Sequence, residues 1–335
     1  MKTIHENFKI LDSLFVSISK KHEVVYIDDG LLPYRFCELN LASKTTKSIG
    51  KPLGKTYMLD DFGKREMPSL SDYRDALLIS ESIFAPGINR LFELIELYMD
   101  ITSKAPLALG FDTNVVLNGI TNVIREKIKK SLWRGSIVIV IPTIVYQEVN
   151  RLFLEEYPSH IPKSKKDLYW LAGLPRKMGR IAILGLGNIR KLREDVQVVM
   201  TGEPISPNVF LSSTAGKYFN DFMIREQIRE YARKTGIPTL HLSADRDSIT
   251  MARAEGTPSV LIELPPIPKN EIHVNIADFV YTLAILRGVL EIRSSDSKKI
   301  LEIKTIWHGK KEADYFNHII EVSLEKMSHK SIKEP

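Results

Sequence analysis

Phe8, Leu11, Leu14, Phe15 and Ile18 recur at spacings of three and four, which predicts an amphipathic helix near the amino terminus. A β-branched stretch from His22 to Ile27 predicts a strand ending at the Asp28-Asp29-Gly30 turn, and the polar Lys44–Lys55 segment reads as an exposed loop. A second helix is expected from Pro86 to Asp100, with Ile88, Leu91, Phe92, Ile95, Tyr98 and Met99 on its buried face. From Leu107 the texture changes to short apolar runs alternating with helices, the pattern of a parallel sheet with crossover helices. Strands are expected at Leu107–Phe111, Ser136–Ile141, Thr239–Ser243 and Ser259–Leu264. Helices are expected from Asp112 to about Lys130, from Pro142 onward, through the long stretch to Pro207, up to Lys234, and over Arg246–Glu255. Ser212, Ser213 or Thr214 would cap the helix that Gly236 and Pro238 end. After Pro268 come a helix at Ile276–Leu286, a hairpin pairing Val289–Arg293 with Ile300–Ile306, and an amphipathic helix around Tyr315–Met327.

These elements suggest three parts: a mixed α+β segment at 1–105 of unknown role, an α/β domain at 106–265, and a helix, hairpin and helix extension at 266–335. Hydrophobic residues make up 44% of the 335 and charged residues 26%, which excludes a disordered or low-complexity chain. Cys37 is the single cysteine, so no intramolecular disulfide forms and a reducing cytoplasm is the expected location. The amino terminus lacks the apolar run of a signal peptide and no stretch approaches 18 uninterrupted apolar residues, so neither secretion nor a membrane span is expected. The net charge of +6 permits a polyanionic partner without requiring one.

Four acidic residues stand where a doubly wound sheet exposes its functional edge, at strand ends or on the helices facing them. Asp112 ends the first strand of the central domain, Glu148 sits in the helix after the second, Asp221 lies early in its helix after Asn220, and Asp245 follows the strand ending at Ser243. If the strands are neighbours these carboxylates converge, and convergent carboxylates raise one another's pKa unless a cation neutralises them. Hard oxygen ligands in an open cluster suit Mg²⁺ or Mn²⁺, with the chemistry of metal-assisted phosphodiester hydrolysis. Caps would look the same at Asp112 and Asp245, but Glu148 is not at a cap position.

In order and context, Asp112-Thr113-Asn114 after an apolar strand, the helix carrying Glu148, the Asn220-Asp221-Phe222-Met223-Ile224 run and Ser243-Ala244-Asp245 resemble the PIN-domain nucleases. The resemblance covers about residues 106–265. It implies a three-layer α/β/α fold with a central parallel sheet, one or two divalent ions, and endonucleolytic cleavage of single-stranded RNA leaving 5′-phosphate and 3′-hydroxyl ends. It also implies that Asp112, Glu148, Asp221 and Asp245 are the catalytic, metal-binding acids, with Asn114, Ser243 and Asp247 supporting them.

A basic bias lies between the second and third acids, in an expected insertion at 155–207. Between positions 163 and 193 there are nine basic residues against Asp167 alone, with Tyr169 and Trp170 among them. Lys163, Lys165, Lys166, Arg176, Lys177 and Arg180 are the candidate RNA-binding residues there. Gly50–Thr56 misses a P-loop by one residue between its glycines, and Gly185-Leu186-Gly187 reads as a helix break or a packing pair. His241 reads as a satisfied core histidine. The alternatives to a ribonuclease are a DNA or structure-specific nuclease, or a non-catalytic RNA-binding or assembly protein with a vestigial PIN fold. A homo-oligomer is left open.

Overall fold

The computed structural model describes residues 2–53, 67–102, 105–132, 134–153, 176–204, 214–306 and 319–324. Along the chain these form α1 (Lys2–Ser19), β1 (Val24–Asp29), β2 (Tyr34–Asn40), β3 (Thr45–Pro52), α2 (Leu70–Ile79), α3 (Ile88–Ile101), β4 (Leu107–Phe111), α4 (Thr113–Leu117) and α5 (Ile120–Lys130). Next come β5 (Ile137–Pro142), α6 (Thr143–Phe153), α7 (Lys177–Asp195), β6 (Gln197–Thr201), α8 (Thr214–Thr235), β7 (Thr239–Ser243), α9 (Arg246–Ala254) and β8 (Ser259–Leu261). The last elements are β9 (Ile272–His273), α10 (Ile276–Arg287), β10 (Val289–Ser294), β11 (Lys299–Ile306) and β12 (Ile319–Leu324). No helix among the described residues is long and apolar enough to cross a membrane.

The chain divides into two compact units, one made of Met1–Ile83 with Pro266–Pro335 and the other of Phe84–Pro265. The boundary expected at 105 therefore moves to 84, and the two ends expected as separate parts belong to one unit. The physical cause is a long-range pairing: β1 is antiparallel to β10, with Val25 opposite Ser294 and Asp29 opposite Leu290. The first unit is an antiparallel sheet of seven strands in the order β12-β11-β10-β1-β2-β3-β9. Helix α10, apolar on nearly every face and buried along most of its length, packs on α1, α2 and strands β10 and β11. Beside that core, Arg287 pairs with Asp29 at 2.6 Å and Asp72 at 3.4 Å, all three buried.

Two expectations fail in this unit. The described part of the Lys44–Lys55 segment is not a loop: β3 pairs with β2 and β9, and Thr45 and Thr46 are buried in it. The helix expected around Tyr315–Met327 is strand β12 at Ile319–Leu324, antiparallel to β11. Its β-branched run of Ile319, Ile320 and Val322 suits a pleated strand better than a helix.

The second unit carries a parallel five-stranded sheet in the order β6-β5-β4-β7-β8. Every residue of β4 and β5 is buried, as a parallel sheet covered on both faces requires. Gly119, at φ +71°, splits the helix expected from Asp112 to Lys130 into α4 and α5. The described part of the expected 155–207 insertion is framework. Ile181, Ala182, Ile183, Leu186, Ile189 and Leu192 of α7 are buried, α7 packs on α4, α5 and α6, and β6 is an edge strand where only helices were expected. Gly185 and Gly187 do not break α7; a Cβ at Gly185 would meet the Val116 carbonyl oxygen at 2.9 Å, so the glycine permits close packing.

Candidate functional site

The sheet order sets where a site forms. The chain enters at central β4, adds β5 and β6 on one side, then crosses to add β7 and β8 on the other. The connections therefore reverse direction between β4 and β7, and the carboxyl ends of those two strands are where sheets of this kind place a ligand crevice. Asp112 directly follows β4, and Ser243 ends β7 with Asp245 two residues beyond.

Asp112 is buried and accepts on both oxygens. Its Oδ1 accepts from the Thr113 backbone N–H at 2.6 Å, capping α4, and its Oδ2 accepts from the Ser243 hydroxyl. Its carboxyl is pushed up to about 6, chiefly by burial and also by the charges of Glu148 and Asp245, against the bonds from Ser243 and Thr113 that hold it down. Ser243 also fixes the loop beyond it, because its Oγ accepts from the Asp245 N–H at 3.0 Å. Asp245 caps α9 by accepting from the Asp247 N–H at 2.9 Å.

Glu148 has no capping role. It sits beyond the first turn of α6, where its Oε2 accepts from the Thr113 hydroxyl and its Oε1 from Asn220 Nδ2 at 2.7 Å. Burial raises its pKa; the Thr113 and Asn220 bonds lower it, Asp221 raises it again and Arg151 lowers it. Asp221 is thus within electrostatic reach of Glu148 despite the long interval in sequence. It stands well inside α8 rather than early in it, because the helix starts at Thr214.

Mutual charge thus links the acids in the order Asp245, Asp112, Glu148, Asp221, and Thr113 bonds both Asp112 and Glu148. Among the described residues no three His, Cys, Asp or Glu side chains form a group that could hold a metal ion, so the acids are not a ready-made cage. The donor set nevertheless fits a hard cation. It is all oxygen, partly buried and self-repelling, and Mg²⁺ commonly binds through one or two carboxylates with water and substrate phosphate completing its shell.

Of the supporting residues, Ser243 contacts Asp112 directly. Asn114 is half-buried in α4, and Asp247 is exposed and contributes its backbone N–H. Thr113 and Asn220 hold Glu148, a role the sequence reading did not give them; their one signal was position, each adjoining an acid. His241 is buried in β7, but it is not satisfied: neither ring nitrogen has a hydrogen-bond partner among the described residues, and burial lowers its pKa to about 4.

Lys163, Lys165 and Lys166 lie outside the described residues. Arg176 and Lys177 are half-buried at the start of α7. Arg180 is only 1% exposed, so it is part of the interior and not a phosphate contact, a correction to the expected RNA-binding set.

No family model matches the chain, and no curated protein does. Among solved structures it is similar to a domain of a functionally unknown protein from Methanocaldococcus jannaschii DSM 2661, at 22% identity over 48% of this chain and 94% of that one, with a TM-score of 0.34.

Proposed function

We propose that the Phe84–Pro265 unit is a PIN-type, three-layer α/β/α nuclease that hydrolyses single-stranded RNA with the help of Mg²⁺ or Mn²⁺. One observation carries this reading: Asp112, at the switch point of the parallel sheet, is bonded to Ser243 from the neighbouring strand and electrostatically linked to Glu148 and Asp245. A bound divalent ion would supply a more acidic water and neutralise charge on the phosphate. Asp112 and Glu148 would hold it, with Asp221 and Asp245 flanking them. Thr113 and Asn220 keep Glu148 turned toward Asp112, and Ser243 keeps one Asp112 oxygen fixed. In the overall hydrolysis, water adds to phosphorus and the bond to the 3′ oxygen breaks, leaving 5′-phosphate and 3′-hydroxyl ends. A cytoplasmic location belongs to the same proposal and is supported by the single, buried Cys37.

A second reading, an RNA-binding protein that keeps the fold without catalysis, is favoured by the absence of a ready-made three-acid group among the described residues. Incubating the full chain with end-labelled single-stranded RNA in Mn²⁺ separates the two. Internal cuts that EDTA abolishes, with DNA of the same sequence left intact, are the expected result. RNA that is bound but uncut would favour the second reading, and cutting of DNA alone would move the substrate class.

A further inference from the structure

Helix α8 brings Asn220 and Asp221 to the acids, and it also carries three aromatic side chains in water. Tyr218 is 68% exposed, Phe219 37% and Phe222 43%. At 3.6 residues per turn, Tyr218 and Phe222 lie one turn apart and Phe219 falls beside them, so the three rings form one stripe. Asn220 lies on another side of the helix, buried, with its amide on Glu148. The stripe is confined to this end of α8. Farther along, the outward positions are Glu226, Arg229 and Arg233, joined by ion pairs as on an ordinary solvated surface.

We infer that Tyr218, Phe219 and Phe222 form a nucleobase subsite, on which unpaired bases next to the scissile phosphate stack. This rests on the nuclease reading of the acids and names what selects their substrate. Three considerations favour bases as the occupant. All three exposed side chains are flat rings, and a ring face stacks on any base without reading its sequence. Tyr218 stands three residues before Asp221, a neighbouring position on the helix surface, and Asp221 lies within electrostatic reach of Glu148, so a strand whose phosphate lies at the carboxylates can run past this edge of the stripe. Finally, bases in a duplex are stacked on each other and have no free face to offer, so this surface favours single strands where carboxylates alone would not.

The test needs no cleavage. Binding of the full chain to fluorescent single-stranded RNA is measured by anisotropy in EDTA, with an intact strand, a strand of equal length carrying central abasic sites, and a duplex. The parent should bind the intact strand more tightly than the abasic strand, by about fivefold or more for each base stacked. Tyr218→Ala/Phe219→Ala/Phe222→Ala should lose that preference while its weaker binding to the duplex stays at the parent's level, and Phe222→Trp, which keeps a ring, should retain it. Equal binding of intact and abasic strands by the parent would overturn the subsite without reference to any variant. So would a triple variant indistinguishable from the parent, or a parent that self-associates in sedimentation through these rings, which would make the stripe a contact between copies. Failure of the nuclease reading has a different signature: ring-dependent binding with no cleavage in Mn²⁺.

Discussion

Asp112 and His241 are buried ionisable side chains in adjacent strands or their ends, and burial shifts each toward its neutral form, with opposite consequences for stability. Asp112 is pushed up to about 6, so folding favours its protonated form; that stability is present below the ordinary carboxylate pKa and is lost as pH rises through about 6. The ionised form therefore costs the fold on the order of 2–3 kcal/mol at neutral pH, which a bound cation would relieve. His241 is depressed to about 4, so its contribution is present above about 6.5 and is lost as pH falls through about 4. Because neither ring nitrogen has a hydrogen-bond partner among the described residues, His241→Leu should stabilise the protein at all pH values and flatten the decline between pH 6.5 and 4. Urea unfolding at a series of pH values checks this, and an unchanged slope would place the acid sensitivity elsewhere. The four acids stood out in the sequence as candidates because each lies at the end of an apolar strand or on a helix facing those ends. Thr113 and Asn220 were not, since a hydroxyl or amide next to an acid looks like a cap. Arg180 misled because charge alone does not reveal which way a side chain points.

The elements were legible where burial dictated composition. The fully buried strands β4 and β5 are unbroken apolar runs, and the start of α6 follows directly from Pro142. Polar strands were not: β6 has two exposed and no fully buried residues, and β3 is rich in Thr, Lys and Ser, so hydrogen bonding to neighbours, not apolar content, makes each a strand, whereas the apolar hairpin of β10 and β11 was legible. Close packing between elements was equally hidden. Gly185 lets α7 approach α4, the helix that begins with Thr113, and the atom a Cβ would strike is backbone and cannot swing aside. Gly185→Ala gains up to about 1 kcal/mol in helix propensity, but overpacking costs roughly 1–3 kcal/mol. A net loss of about 1 kcal/mol in urea unfolding is expected, with weakened cleavage as α4 shifts Thr113 from Glu148. A stabilised variant would show that the two helices separate freely.

At the scale of the whole molecule, the division into units was the least legible feature, because the β1–β10 pairing joins residues at opposite ends of the chain and leaves no local trace. The parallel sheet was legible in outline, and its strand order supplies what the pattern of apolar runs could not: the reversal between β4 and β7 that places Asp112 beside Ser243. The central claim, that this crevice is a metal-dependent nuclease site, is tested most directly by Asp112→Asn in the full chain. The substitution removes one charge at nearly constant volume. Cleavage of single-stranded RNA in Mn²⁺ is measured for parent and variant at pH 7.5, with unfolding midpoints taken on the same preparations without metal. The account predicts a variant at least as stable as its parent and with cleavage lost; equal cleavage by the two folded proteins, with the same dependence on Mn²⁺, would contradict it.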